Sequence, residues 1–169
     1  MKVWLASHVM RIMHRHAAEL CPLETGGILL GWRSGEDSVV TDMRGPGLRA
    51  LHGRYNFLPD HKWQLDEIQR AFDGSNGDID YLGDWHSHPD GIAAMSHQDQ
   101  ITLRKITRRV KNPLMLILAG ARDDSDWTAG CWKGLRHGRA LWRRFEAQPQ
   151  ELKLFEPSPS WPKPLLSLH

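Results

Sequence analysis

Strand-like and helix-like segments alternate through the middle of this chain, and the alternation predicts an α/β sandwich around a mixed sheet. Three stretches carry that expectation. From Ser7 to Leu20 the apolar residues Val9, Ile12, Met13, Ala17 and Leu20 recur with helical period, and Pro22 closes the segment. Leu114-Met115-Leu116-Ile117-Leu118-Ala119 is an unbroken apolar run of strand length, as a central strand buried on both faces requires. Between them, Tyr81-Leu82-Gly83-Asp84-Trp85 has the aromatic character of a strand, and Asp99, Leu103, Ile106 and Val110 share one face of a helix that follows it.

The remaining elements follow in order. Glu24 lies in the loop, or at the first residue, that leads into an apolar strand from Gly26 to Trp32. Ser34-Gly35-Glu36-Asp37 reads as a hairpin turn into a strand from Ser38 to Met43. Gly45-Pro46-Gly47 opens a loop reaching to about Arg54, either a groove wall or a plain connection. Tyr55-Asn56-Phe57-Leu58 is a short strand, and Pro59-Asp60 starts a second helix with Leu65, Ile68 and Phe72 on one face, ending by Gly74. Pro89 withdraws a ladder donor and Asp90-Gly91 signals a turn, so the strand through Trp85 stops there. Ser96 sits at an N-cap position before a helix from Gln98 to Lys111. Beyond the central strand come a turn at Asp123-Asp124-Ser125-Asp126, a strand from Trp127 to Lys133 and a turn or loop from Gly134 to Arg139. Ala140 to Glu146 is a strand or a short helix. From Ala147 the prolines at 149, 157, 159, 162 and 164 predict an extended or partly disordered tail on which Leu152, Leu154, Phe155 and Trp161 could dock. The expected organisation is therefore one domain over 1–146 and a tail over 147–169.

A chain of 169 residues is long enough for one domain with a sizeable core. Its 22 basic and 20 acidic side chains leave a formal charge of +2, too balanced to suggest a nucleic-acid partner. Arg104, Lys105, Arg108, Arg109 and Lys111 read first as a solvated helix face. Cys21 and Cys131 form no paired spacing, which argues against a disulfide scaffold or a thiolate metal site and for reduced, cytoplasmic thiols. No segment has the apolar run of a signal peptide or approaches the roughly 20 residues of a membrane span, so no membrane partner is expected.

The chemistry is expected between Asp84 and Asp99. His86 and His88 are two apart in an extended segment, so both imidazoles face one way. Asp99 begins the buried stripe of the next helix and points toward the sheet. Two histidines and a carboxylate make a three-ligand set suited to zinc, with a fourth position left open for water. Each residue taken singly has a blander explanation: a satisfied histidine, or a Ser-x-x-Asp that only caps a helix.

The spacing His-x-His-Pro, six residues, then Ser-x-x-Asp resembles the metal signature of the JAMM metalloproteases, the MPN/Mov34-type isopeptidases, in their compact prokaryotic form. That family adds an upstream glutamate near a glycine-containing strand, and Glu24-Thr25-Gly26-Gly27-Ile28-Leu29-Leu30-Gly31 supplies it. The resemblance spans roughly Val9 to Gly130 and implies a deaminase-like α/β/α fold with helices packed on a curved mixed sheet. It implies one zinc per chain on His86, His88 and Asp99, with Glu24 as general base and Ser96 as oxyanion donor. An N-cap serine would then have to serve both a helix amide and an oxyanion.

The substrates so implied are ubiquitin-like or sulfur-carrier proteins cut after the C-terminal tail. Conjugation enzymes of the same operon, including antiphage systems, are possible partners. Two alternatives stand beside this: release of a small amino acid from a sulfur carrier, and a noncatalytic MPN-type scaffold. The helix after Asp99 runs on without the second ubiquitin-contacting insertion of larger relatives.

Overall fold

The structure is a computed structural model describing residues 2–89, 91–121, 127–138, 144–158 and 161. In chain order its elements are β1 (Lys2–Ala6), α1 (Ser7–Leu20), β2 (Gly26–Ser34), β3 (Asp37–Arg44), β4 (Leu51–His52), β5 (Phe57–Leu58), α2 (His61–Gly74), β6 (Asp80–Pro89), α3 (His97–Ile106), β7 (Leu114–Gly120), β8 (Thr128–His137), β9 (Arg144–Pro149) and β10 (Glu151–Phe155). Eight strands form one sheet in the order β10-β1-β3-β2-β6-β7-β8-β9, and β4 pairs with β5 as a separate hairpin. The sheet is mixed: β2 runs antiparallel to β3 and β6, β6 parallel to β7, and β1 parallel to β3 and β10. Its edge strands β9 and β10 are joined by Gln150 alone, and the Gln150 amide donates to the Cys131 carbonyl at 2.9 Å. Edges joined by a single residue must approach each other, so the sheet curls.

Helices cover both faces. On one, Val9, Met10, Met13 and Ala17 of α1 pack with Leu5, Leu29, Val40, Leu82, Trp85 and Leu116. On the other, Ile68 and Ala71 of α2 pack on Ile28, Leu30 and Ile79, while Leu103 of α3 meets Met115 and Ile117. Odd and even residues of β7 thus enter different cores, which is why that strand reads as a continuous apolar run. The expected α/β/α sandwich with a curved mixed sheet is the architecture observed.

One irregularity aims the site. Leu29 pairs with Gly83 but Leu30 with Tyr81, so Leu82 is an extra residue in β6. This bulge puts Leu82 and Trp85 together in the α1 core and leaves Tyr81, Asp84, His86 and His88 on the opposite face. Gly83 has φ +154°, and a Cβ there would lie 2.1 Å from the Leu114 carbonyl oxygen, so only glycine allows β7 to approach so closely.

Several details depart from the sequence expectations. The loop from Gly45 to Arg54 contains β4, and β8 continues through Gly134 to His137 because β9 pairs along it. The helix expected to reach Lys111 ends at Ile106 and gives way to turns, before Asn112 with its φ of +50°. Of Ala140 to Glu146, residues 144–146 are strand and the rest lie outside the described residues, as does the Asp123–Asp126 turn. Residue 146 falls within β9, and the extended segment after it includes β10, in register with β1. Leu152 and Phe155 pack against the core, Trp161 rests against Trp32 and Phe155, and Leu154 is exposed.

The second helix is rotated from its expected face. Leu65 is 65% exposed and Phe72 42%, whereas Gln64 and Glu67 are buried. The reason is an ion-pair network: Arg44 binds Glu67 at 2.9 Å and also pairs with Asp42, and Glu67 pairs with Arg70. The Asp42 and Glu67 side chains are 7% and 2% exposed, so a cation has to sit between them. Arg44→Ala should therefore destabilise the fold by about 3–5 kcal/mol in urea unfolding; a loss below about 1 kcal/mol would show the network to be a solvated pair.

Candidate metal centre

His86 and His88 leave the sheet face near the end of β6, their Nε2 atoms 3.1 Å apart. Their third partner arrives with α3. Ser96 is the N-cap: its Oγ accepts from the Asp99 amide at 3.2 Å, and the Asp99 carboxylate accepts from the Ser96 amide at 2.7 Å. This reciprocal capping box fixes the first helical turn and the Asp99 rotamer together. The carboxylate then lies 3.1 Å from His86 Nε2 and 3.4 Å from His88 Nε2. The three side chains are 12%, 16% and 13% exposed, enough to open the cluster on one side.

Proton accounting shows what the cluster is built for. His88 Nδ1 faces the Ile92 carbonyl at 3.2 Å, and a carbonyl only accepts, so Nδ1 carries the hydrogen. Neutral His88 therefore presents a lone pair at Nε2, toward another imidazole nitrogen and a carboxylate. His86 Nε2 faces one carboxylate oxygen of Asp99 and His88 Nε2 the other, and one donor atom from each of the three residues can be chosen so that all lie within 4.8 Å of one another. Three electron-pair donors converging at this spacing fit a metal cation. Without one, hydrogen bonding to Asp99 raises the pKa of His88. Burial alone would raise the pKa of Asp99, but the hydrogen bonds from both histidines outweigh it and hold the carboxyl far below its usual range.

Glu24 precedes β2 and is held from two sides. Its amide donates to the Gly53 carbonyl at 2.8 Å, and its carbonyl accepts from His52 Nδ1 at 2.9 Å. The next residue, Thr25, is tied to β6: its amide donates to Ser87 Oγ at 3.0 Å, and its carbonyl accepts from the Ser87 amide at 2.8 Å. Ser87 is fully buried and faces away from the flanking histidines. Burial raises the pKa of Glu24; the nearby His86 and His88 act in the opposite sense, and Asp99 adds to the rise.

These residues share one groove. It encloses about 1140 Å³ and is lined by Glu24, His86, His88, Ser96 and Asp99, with Tyr55 among its outer residues. The structure thus brings all five expected residues to a single surface. Sequence reasoning missed His52 and Ser87, which hold the Glu24 segment, and Asp84, whose half-buried carboxyl accepts from Tyr81 Oη at 2.7 Å at the same groove. Ser87 had a signal, since strand alternation places it opposite the histidines. His52 had none.

The sequence matches the family described as prokaryotic homologs of the JAB domain over residues 6–130. The chain belongs to that JAB family. Among its relatives, a probable metalloprotease of Sinorhizobium fredii is 34% identical over 145 residues, covering 82% of this chain and 87% of that one. Proteins named CD-NTase/cGAS isopeptidase from Vibrio cholerae and Escherichia coli are 31% and 27% identical, each over 72% of this chain and over 78% and 77% of their own. A solution structure of a Desulfitobacterium hafniense protein superposes with a TM-score of 0.64 at 22% identity, over 92% of this chain and 94% of that one, which shows the shared fold. As a JAB-family enzyme this protein is a metal-dependent hydrolase of the metalloprotease class. Among the described residues, His86, His88 and Asp99 form the one group of three or more such side chains close enough to hold an ion. No described helix is long and apolar enough to cross a membrane.

Metal uptake by this JAB domain should displace the proton of His88, whose pKa is raised, so affinity rises as pH increases through and above 6.5. Elemental analysis should find about one metal per chain, weakly held at pH 5, firmly held at pH 8 and lost in His86→Ala. Equal metal content in the variant would place the ion elsewhere.

Proposed function

We propose that this protein is a zinc-dependent isopeptidase that cuts after the C-terminal tail of a ubiquitin-like protein, freeing the lysine amine of a conjugated target. The observation that carries this is the single open groove into which a three-donor cation cluster, a carboxylate and a serine hydroxyl all face. Three protein donors leave a coordination position for water, the pattern of catalytic rather than structural zinc. The names of the Escherichia coli and Vibrio cholerae relatives support the isopeptide bond as target and a CD-NTase as the conjugated protein. A cytoplasmic conjugation pathway encoded beside this chain is the corresponding setting.

In this mechanism His86, His88 and Asp99 would hold the zinc, which when bound would supply Lewis acidity and a more acidic water. Glu24 takes a proton from the attacking water as its oxygen bonds to the scissile carbonyl carbon. When the carbon–nitrogen bond breaks, Glu24 returns that proton to the departing amine. Ser96 serves the oxyanion. Its oxygen accepts from the Asp99 amide, which occupies a lone pair and leaves the hydroxyl hydrogen free to donate. One hydroxyl can therefore cap the helix and stabilise the intermediate at the same time.

An extended tail suits the groove beside the β4–β5 hairpin, where Leu58 is 61% and Tyr55 86% exposed. Backbone hydrogen bonds would give affinity and apolar contacts register.

Ubiquitin-like proteins extended by an isopeptide-linked lysine peptide, and sulfur carriers bearing a single C-terminal amino acid, should be offered in parallel. Cleavage of the first class supports the proposal, and cleavage of the second alone would move the function to amino-acid release. Glu24→Gln should keep its zinc and lose nearly all turnover, whereas Ser96→Ala should lose roughly a hundredfold, about 2.7 kcal/mol. Full activity in Glu24→Gln would remove that residue from the mechanism.

Cysteine chemistry has no part in this scheme. Burial pushes the Cys131 thiol up to about 12. Native protein treated with iodoacetamide at pH 8 should stay unmodified at Cys131 by mass spectrometry and keep its activity; inactivation tracking alkylation would contradict the metalloenzyme scheme.

A further inference from the structure

We propose that His52 is a positioning residue that makes the placement of Glu24 depend on the β4–β5 hairpin, so that a tail seated on the hairpin helps to set the general base. This rests on the isopeptidase function above and deepens it.

Glu24 lies outside regular structure, in the connection between α1 and β2, where nothing in the sheet ladder fixes it. Both of its main-chain groups are nevertheless satisfied, and by neighbours in one place. The amide donates to Gly53 and the carbonyl accepts from His52 Nδ1, so Glu24, two residues before β2, is gripped by β4 and the turn that follows it. His52 is itself held. Its ring stacks on Phe57 with centroids 5.5 Å apart and planes 26° from parallel, and the two residues are register partners across the hairpin. Phe57 reaches this position because Gly26 has no side chain: a Cβ there would lie 2.9 Å from the Phe57 ring. The hairpin is closed by the Gly53 amide donating to the Asn56 carbonyl at 2.9 Å.

The chain of contact thus runs from the groove wall to the base. Tyr55 and Leu58 stand exposed on the hairpin, Phe57 anchors it against Gly26, and His52 passes its position to the Glu24 main chain. The other wall is wired in the same way, since the Ile92 carbonyl, in the segment opposite, orients His88. Ile92 is 75% exposed. The hairpin wall thus makes two hydrogen bonds to the base, through Gly53 and His52, and the other wall one to a metal ligand. A tail lying between the walls touches both supports. Hydrogen bonds of this kind set reacting groups to within a fraction of an ångström, and their loss typically lowers turnover 10- to 100-fold.

The test compares wild type with His52→Ala and His52→Asn, since an asparagine amide can donate from about the position of Nδ1. Three quantities are read: zinc content, amide hydrogen exchange at Glu24 and Thr25 in zinc-loaded protein without substrate, and kcat and KM on an isopeptide-linked ubiquitin-like conjugate. In His52→Ala we expect unchanged zinc, roughly tenfold faster exchange at Glu24, and kcat lowered at least about tenfold with KM within about twofold. His52→Asn should recover most of both losses. A rise in KM at unchanged kcat would make His52 a mere wall residue and overturn the proposal. Equal losses in the alanine and asparagine variants would also overturn it, because they would trace the effect to ring packing. Exchange is measured without substrate, so Glu24 protection equal to wild type in His52→Ala refutes the clamp even if every conjugate is left uncut. Faster exchange with no cleavage of any conjugate by wild type would instead retain the clamp and refute the isopeptidase function.

Discussion

The carboxylate of Asp99 is the point on which the site depends, because it answers two demands at once. As the third residue of α3 it accepts the Ser96 amide and completes the capping box that starts the helix. As the partner of two imidazoles it turns one oxygen to each, at 3.1 Å and 3.4 Å. Helix start and metal geometry are therefore not independent. The rotamer that caps the helix also points the carboxylate at the histidines, and α3 is held at that height by Leu103 in its own core with Met115 and Ile117. A cluster that must bind a cation is preformed by forces that would act on the chain without one.

The sheet makes the corresponding adjustment on the histidine side. Without the extra residue at Leu82, regular alternation would carry Leu82, Asp84, His86 and His88 together on one face. The bulge lets Leu82 turn into the α1 core beside Trp85 while the histidines face α3. It also brings Tyr81 and Asp84 to the same side, where the phenol satisfies a carboxyl that would otherwise be buried alone. Burial raises the pKa of Asp84 and, well above its usual value, that of Tyr81, as expected of two acids sharing one proton away from water. Gly83 makes this affordable because β7 passes so close behind it.

What the sequence made legible was set by local rules. Helical period marked α1, an unbroken apolar run marked β7, alternation by two paired His86 with His88, and an N-cap pattern placed Ser96 and Asp99 on the same turn. Glu24 was legible through its family motif, and the structure places it on the same groove. The errors share a different origin. Leu65, Ile68 and Phe72 form a reasonable apolar stripe, but Arg44 lies 23 residues away from Glu67 and outweighs it, because an unpaired buried carboxylate costs more than an exposed leucine gains. Strand β8 extends past Lys133 because β9 lies beside it, and β10 joins the sheet because β1 offers a parallel edge. His52 belongs to this second group: a histidine in a short loop strand means nothing until the fold brings it against the carbonyl of Glu24.

The placing of the strand edges decides which of them an extended peptide in the groove can meet. The continuous segment through Gln150 carries the backbone from the β8 edge to the β1 edge, so both ends of the sheet are occupied by the same run of chain. Among the described residues, β9 and β10 are the edge strands of the main sheet, hydrogen-bonded only to β8 and β1, and no residue of either lines the groove that holds the cation cluster. The two-stranded β4–β5 hairpin also has unpaired edges, and it differs in lining the groove, through Phe57 and Leu58. Under the proposed function, a tail that binds by strand addition meets the hairpin rather than β9 or β10, because, of these edges, only the hairpin lines the groove. The same hairpin holds Glu24 through the Gly53 carbonyl and His52 Nδ1. Under the proposed function, the sheet edge that stands beside the cation cluster is thus also the one that holds the general base.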